Sequence, residues 1–148
     1  MSGLAGVLAG RRPSRVYRWG SHARAADVAH AVEHAGWRFV RLDTVRAEDK
    51  SGFLDEAKDA FGFPDWVGRN FDALADALTD VRHEHGTVAL WEGWSPFARA
   101  HPRDFAVVLD VFEQRCATSR GGAFVVLLRG EGPPLDVPEL DPHGQGGH

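Results

Sequence analysis

With 148 residues and 16.2 kDa, the chain has room for one domain with extensions, and a second domain of enzyme size is excluded. A composition 43% hydrophobic and 26% charged is globular and excludes wholesale disorder, and no apolar run approaches the roughly 18–20 residues of a membrane helix. The formal net charge of -4 argues against nucleic acid as a partner, because such binding rests on neutralising phosphates.

Met1 to Pro13 is small and breaker-rich, and its arginine pair follows the apolar stretch, the reverse of a secretory signal. A loose N-terminus in the cytoplasm is expected, and the single cysteine, Cys116, suits a reducing compartment. Val16 to Trp19 is a short strand candidate. Arg24 to Ala35 places Ala25, Val28, Ala29 and Val32 at helical spacing and closes at Gly36. Trp37 to Leu42 reads as a buried strand. A helix near Ala47 to Phe61 carries Phe53, Leu54, Ala57 and Phe61 on one face, and Gly62-Phe63-Pro64 ends it. A third helix runs from Asn70 to about His83, followed by a turn at Gly86 and a strand from Val88 to Trp91. Ser95-Pro96 has the pattern of an N-cap with proline at the first helical position, opening a short helix to about Ala100. Pro102 to Ala117 is a further helix, with Phe105, Val108, Leu109 and Phe112 inward, and Ala123 to Leu128 is apolar enough for a central parallel strand. From Gly130 to His148, nine of nineteen residues are proline or glycine, and this end too is expected to be loose. Alternating strands and helices imply an α/β fold, with helices layered on a small, mainly parallel sheet.

Charge is unevenly spread. Met1 to Arg46 holds eight arginines against Asp27, Glu33 and Asp43, a net of +5, whereas Asp55 to Glu92 holds nine acids against Lys58, Arg69 and Arg82, a net of -6. Such a stretch raises the on-rate for a basic partner and repels RNA. From charge alone, a solvated acidic face with no partner is the favoured reading.

The helix from Asn70 gives that charge a geometry. At 100° per residue, Phe71, Leu74, Leu78 and Val81 fall in one stripe that faces the core. Asp72 and Asp76 then project roughly opposite, with Thr79 and Asp80 on the next turn of the same side. Two like charges four apart cost about 0.2–0.5 kcal/mol, offset in part at Asp72 by the helix dipole behind the Asn70 cap. Each Asp taken singly reads as an ordinary surface acid. Trp66, between Pro64 and Gly68, lies on the loop that feeds this helix. It is either a lid on the core or an interface anchor, and spacing does not separate the two.

The stretch FPDWVGRNFDALADALTD, Phe63 to Asp80, resembles the loop and second helix of the barstar family, intracellular inhibitors of barnase-type, guanyl-specific ribonucleases. Glu92, Trp94 and Phe97, Val111-Phe112 and Phe124 to Leu128 resemble later parts of that fold more loosely. The resemblance implies a barstar-like domain over 37–129, of three strands. Residues 14–36 would add a β-α extension and a fourth strand, between loose ends at 1–13 and 130–148. It also implies roles. Asp76 matches the aspartate that occupies the ribonuclease's phosphate site and pairs with its arginines and catalytic histidine. Asp72 matches an acid that meets an arginine near the guanine-recognition loop. Trp66 stands where the family has a tyrosine against the catalytic histidine, and Thr79 matches a polar contact. Gly68, Asn70 and Asp80 complete the face. Ala75 departs from a family tryptophan at the interface, and Gln114 from a glutamate facing the same partner, with Glu113 one position away and pointing elsewhere. The partner implied is a basic ribonuclease in a 1:1 complex with a monomer, with no nucleic acid, membrane, cofactor or metal. The same scaffold serving as a binding or immunity protein for a non-ribonuclease partner is the alternative.

An enzyme would have to draw on Asp72, Asp76, His83 and His85. His83 and His85, two apart, share a face on a strand but not at the helix end expected there. His30, Glu33 and His34 read as surface residues, and His143 and His148 as tail. No glycine-rich phosphate loop and no nucleophile-base set is present.

Overall fold

The computed structural model describes residues 2–141; His143 and His148 lie outside them. Four strands, β1 (Val16–Trp19), β2 (Arg38–Asp43), β3 (Thr87–Glu92) and β4 (Phe124–Arg129), form one sheet in the order β1-β4-β3-β2. All three pairings are parallel, and Val16, Val126, Ala89 and Val40 stand in register across the sheet. Parallel strands need crossovers that cover both faces, which is why β3 and β4 are buried from Thr87 to Trp91 and from Phe124 to Leu128. The α/β architecture expected from the alternation of elements is the one that forms, with β1 as its fourth strand.

Six helices supply the cover: α1 (Ser2–Leu8), α2 (Ala25–His34), α3 (Lys50–Phe61), α4 (Phe71–Thr79), α5 (Ser95–Ala100) and α6 (Pro102–Ala117). Side chains alternate along a strand, so β3 sends Ala89 and Trp91 into a core shared with α3 to α6, and Val88 and Leu90 into a core shared with α1 and α2. The first core is aromatic: Phe53 stacks on Phe97 with ring centroids 5.3 Å apart, and Phe112 meets Trp91 edge-on at 5.6 Å. Among the described residues no helix is long and apolar enough to cross a membrane.

The two ends differ from the loose tails expected of their composition. Ser2 to Leu8 is helical, with Leu4 and Val7 buried against the sheet. After β4 the chain returns as a strap along the outer edge of β1: the Arg18 amide donates to the Pro138 carbonyl at 2.9 Å, and the Leu140 amide to the Arg18 carbonyl at 2.8 Å. Leu140 is fully buried. The Asp141 carboxylate then accepts from the Gly3 amide at 2.9 Å and the Trp19 indole at 3.0 Å. An edge strand left open would be a template for foreign pairing, and the strap closes it. Proline and glycine describe local stiffness only, and here burial by distant partners overrides them.

Two boundaries also shift. The third helix, expected to reach His83, stops at Thr79, and the turn beyond it is held by the His83 amide donating to the Gly121 carbonyl at 3.0 Å. Ser95 is the first residue of α5 and Trp94 is its cap, without a side-chain cap bond. The Ser95 hydroxyl instead accepts from Arg99 Nε one turn on, at 3.0 Å.

Candidate functional site

The loop between α3 and α4 begins at Gly62, whose left-handed backbone (φ 72°, ψ 36°) ends α3, a conformation that favours glycine. Phe63 follows and stacks on Phe61 at 5.5 Å, anchoring the loop to the core. Two ion pairs to α3 bracket the exposed part. Lys58 Nζ meets Asp65 at 2.9 Å, and Arg69 Nη2 meets Asp55 at 3.0 Å and also bonds the Ser51 hydroxyl. The Lys58 hydrogen bond and charge hold the Asp65 carboxyl below its ordinary pKa and raise that of Lys58 in return. Exposed pairs of this kind contribute little to stability; here they fix the two sides of a loop. Between them stands Trp66, 80% exposed. It is therefore not a lid on the core.

Asn70 caps α4 as its sequence position suggests, its side chain accepting from the Ala73 amide at 2.7 Å. Leu74, Ala77 and Leu78 are buried, Phe71 is half-buried and Val81, just past the helix, is buried again. The stripe therefore falls where its spacing places it, and Asp72, Asp76, Thr79 and Asp80 are all exposed. No cation lies within ion-pair distance of Asp72, Asp76 or Asp80 among the described residues. The Thr79 hydroxyl donates to the Asp76 carbonyl at 2.6 Å, which leaves its lone pairs for a donor from outside. Ala75 is half-buried and Gly68 exposed.

Trp66, Gly68, Asp76 and Asp80 line one cleft of about 460 Å³ between the loop and the second half of α4, with Phe61 and Phe63 also on its walls. Asp72 lies outside it, one turn earlier on the helix. Arg38 also lines the cleft, and donates to the Phe61 carbonyl at 3.1 Å.

Gln114 is exposed on α6 and turned along its own helix, Nε2 donating to Asp110 at 2.7 Å. Glu113 points elsewhere, accepting from Arg15 at 3.2 Å and from the Val16 amide at 3.4 Å, so it ties α6 to β1. His83 and His85 lie in the turn after α4, where the His83 ring nitrogen Nδ1 accepts from the His85 amide at 3.3 Å. Among the described residues no three His, Cys, Asp or Glu side chains converge as metal ligands.

One residue of this region is not found by motif reading. Arg115 of α6 is 4% exposed and donates to the Leu78 carbonyl at 3.0 Å, the Val81 carbonyl at 2.8 Å and the Gly122 carbonyl at 3.3 Å. Burial lowers its pKa from the usual guanidinium value. The available signal was its position, three residues after Phe112 on the inward stripe of the helix.

Behind the site, Glu92 at the end of β3 accepts from Arg129 at 2.6 Å and Arg41 at 2.7 Å. Burial on its own would raise the Glu92 carboxyl, but the bonds and charges of Arg129 and Arg41 bring it below the ordinary value.

Residues 37–129 match a family model described as Barstar (barnase inhibitor). Among solved structures the chain is similar to the ORC2 protein of Aeropyrum pernix in its ADPNP–ADP complexes, with a TM-score of 0.57 at 16% identity. That likeness covers 88% of this chain and 39% of the other. It is one of fold alone, and the chain spans well under half of that protein's length. No curated protein matches the chain.

Proposed function

The chain belongs to the barstar family, and from that premise we propose that it is a non-enzymatic inhibitor of a barnase-type, guanyl-specific ribonuclease in the cytoplasm. The observation that carries this reading is the unpaired acidic face of α4 beside an exposed tryptophan. Asp72, Asp76 and Asp80 have no cation within ion-pair distance among the described residues, and Trp66 stands 80% exposed at the edge of the same cleft as Asp76.

The mechanism is occupation. An enzyme that cleaves RNA needs a cationic pocket for the scissile phosphate, and a carboxylate on a rigid helix fills that pocket without offering a bond to cleave. Asp76 takes the phosphate's place against the enzyme's arginines and catalytic histidine. Asp72, a turn earlier, meets a second arginine near the guanine-recognition loop. Trp66 packs against the catalytic histidine, Thr79 accepts from a donor beyond Asp76, and Gly68, Asn70 and Asp80 complete the contact. A carboxylate desolvated in this way must be paired, which makes the arginine cluster of the partner obligatory. The acidic stretch steers a basic enzyme inward at long range, so association slows as salt rises. Ala75 and Gln114 remove two contacts of the family pattern, which favours a cognate enzyme other than barnase itself. A monomer in a 1:1 complex follows, since a self-interface on this face would compete with the enzyme.

The test is RNA cleavage by a secreted guanyl-specific ribonuclease, titrated with the protein and with its Asp76→Ala and Asp80→Ala variants. Stoichiometric inhibition is expected, weakened by about 2 kcal/mol or more in Asp76→Ala and far less in Asp80→Ala. Equal losses would mean that general acidity, not a placed carboxylate, does the binding. No inhibition of any such ribonuclease by the unaltered chain would shift the function to a different partner.

A further inference from the structure

Resting on the reading of α4 as an inhibitory face, we propose that Arg115 is a positioning residue, which fixes the last turn of α4 and through it the placement of Asp76 and Thr79 toward the partner. The last carbonyls of a helix lack the i+4 amide partners of its interior; the Leu78 carbonyl accepts from the Val81 amide of the tightened last turn at 3.1 Å, and α4 carries no basic residue in that turn to meet the lone pairs that remain. Its second half carries Asp76 and its C-cap is Asp80, both of the charge sign that a helix C-terminus disfavours. Arg115, from another helix, fills this gap. Its planar fork spans the carbonyls of Leu78 and Val81 at the end of α4 and that of Gly122 in the loop after α6, while its guanidinium carbon sits 4.9 Å from the centre of the Phe124 ring.

The arrangement is costly, and the cost is informative. Among the described residues no carboxylate stands within ion-pair distance of Arg115, and a buried cation is expensive where an apolar side chain of like volume often serves stability as well or better. A methionine or leucine would continue the stripe of Phe105, Val108 and Phe112. What an apolar residue could not do is join three carbonyls of two chain segments in one plane, and an ammonium lacks the fork for it. The turn beyond α4 has no slack either. A side chain at Gly122 would meet the His83 carbonyl at 2.0 Å. Leu78 is two residues from Asp76, and the Asp76 carbonyl is itself bonded to Thr79, so the groups that Arg115 holds are continuous with those that face outward.

The experiment compares the full chain with Arg115→Met, which keeps the stem, and Arg115→Lys, which keeps the charge. Amide exchange at Asp80 and Val81, which donate to the Ala77 and Leu78 carbonyls, is read first and needs no partner. On the order of tenfold faster exchange is expected there in Arg115→Met, with the β4 amides of Val125 and Val126 unchanged and Arg115→Lys intermediate. Inhibition of the ribonuclease is read second, for Arg115→Met, Asp76→Asn and the double variant. Arg115→Met is expected to weaken inhibition about tenfold, and this loss should shrink or vanish when Asp76 is already Asn. A purely structural role predicts additive losses and overturns the proposal, as does unchanged exchange at Asp80 and Val81. If Arg115→Met does not fold, Arg115→Lys carries both readings. An unaltered chain that inhibits no ribonuclease overturns the inhibitor reading, whereas one that inhibits no better than Arg115→Met overturns the role of Arg115 alone.

Discussion

On the face covered by α3 to α6 the sheet packs against rings, with Phe53, Phe61, Trp91, Trp94, Phe97, Phe105, Phe112 and Phe124 in one continuous core. On the face of α1 and α2 the core is smaller, with a larger share of aliphatic side chains beside Tyr17, Trp19 and Trp37, and it is closed by polar bonds that join Gly3, the strap and β1. The carboxylate-bearing helix belongs to the first face and to the segment that matches the family, while α1, β1 and α2 lie outside that match. A helix that presents charges without partners must be held by its buried side. Interlocked rings, which lose much of their contact on a small shift, provide a stiffer seat than an aliphatic layer does.

That contrast can be broken by substitution. Phe112 touches Phe53, Phe61, Trp91 and Phe124, so Phe112→Ala should cost about 3–5 kcal/mol in denaturant unfolding. Leu140→Ala, on the other face, should cost about 2–3 kcal/mol and speed amide exchange chiefly in α1 and β1. If Leu140→Ala costs as much as Phe112→Ala, the two faces are equally fastened and the comparison fails.

Glu92 sharpens it from the end of a central strand. Its folded carboxyl lies below the ordinary value because Arg129 and Arg41 outweigh its burial. The stabilisation is therefore present above the ordinary carboxylate pKa and is lost as pH falls through the folded one. Unfolding measured against pH should show an acid loss that Glu92→Gln reduces, and at neutral pH that variant should be less stable by about 1–2 kcal/mol. The smallest effect is expected at Asp80. Removing a like charge four residues from Asp76, at the unfavourable end of α4, should stabilise Asp80→Asn by about 0.2–0.5 kcal/mol; a loss of stability there would show an unseen partner for Asp80.

Much of the site was legible because its signals are local. The Leu74–Leu78 stripe, the Asn70 cap and the exposure of Asp72 and Asp76 all follow from spacing within one helix, and the run from Phe124 to Leu128 marks a strand buried on both faces. What was missed depends on residues far apart in the chain. Composition made Gly130 to Asp141 look loose because proline and glycine carry no trace of the β1 edge that receives them. Arg115 drew no reading from the sequence, since nothing near it in the chain announces carbonyls more than 30 positions upstream, at Leu78 and Val81. Ser95 went the other way. Its local pattern was right for a cap, and one residue's shift gave its hydroxyl to Arg99 instead.

The strap along β1 also sets an order in time. Trp19 and Asp141 are 122 positions apart, and among the described residues β1 has β4 as its sole strand neighbour in the sheet. Bringing such distant segments together requires closing nearly the whole chain into a loop, and non-local pairings of this kind are the slow ones. β1 cannot pair before β4 is in place, and the strap cannot pair before β1. Val16 of β1 belongs to the aromatic core, and Leu135 and Val137 of the strap pack against it, so that core is sealed only when β1 and the strap arrive, and their closure marks the last step.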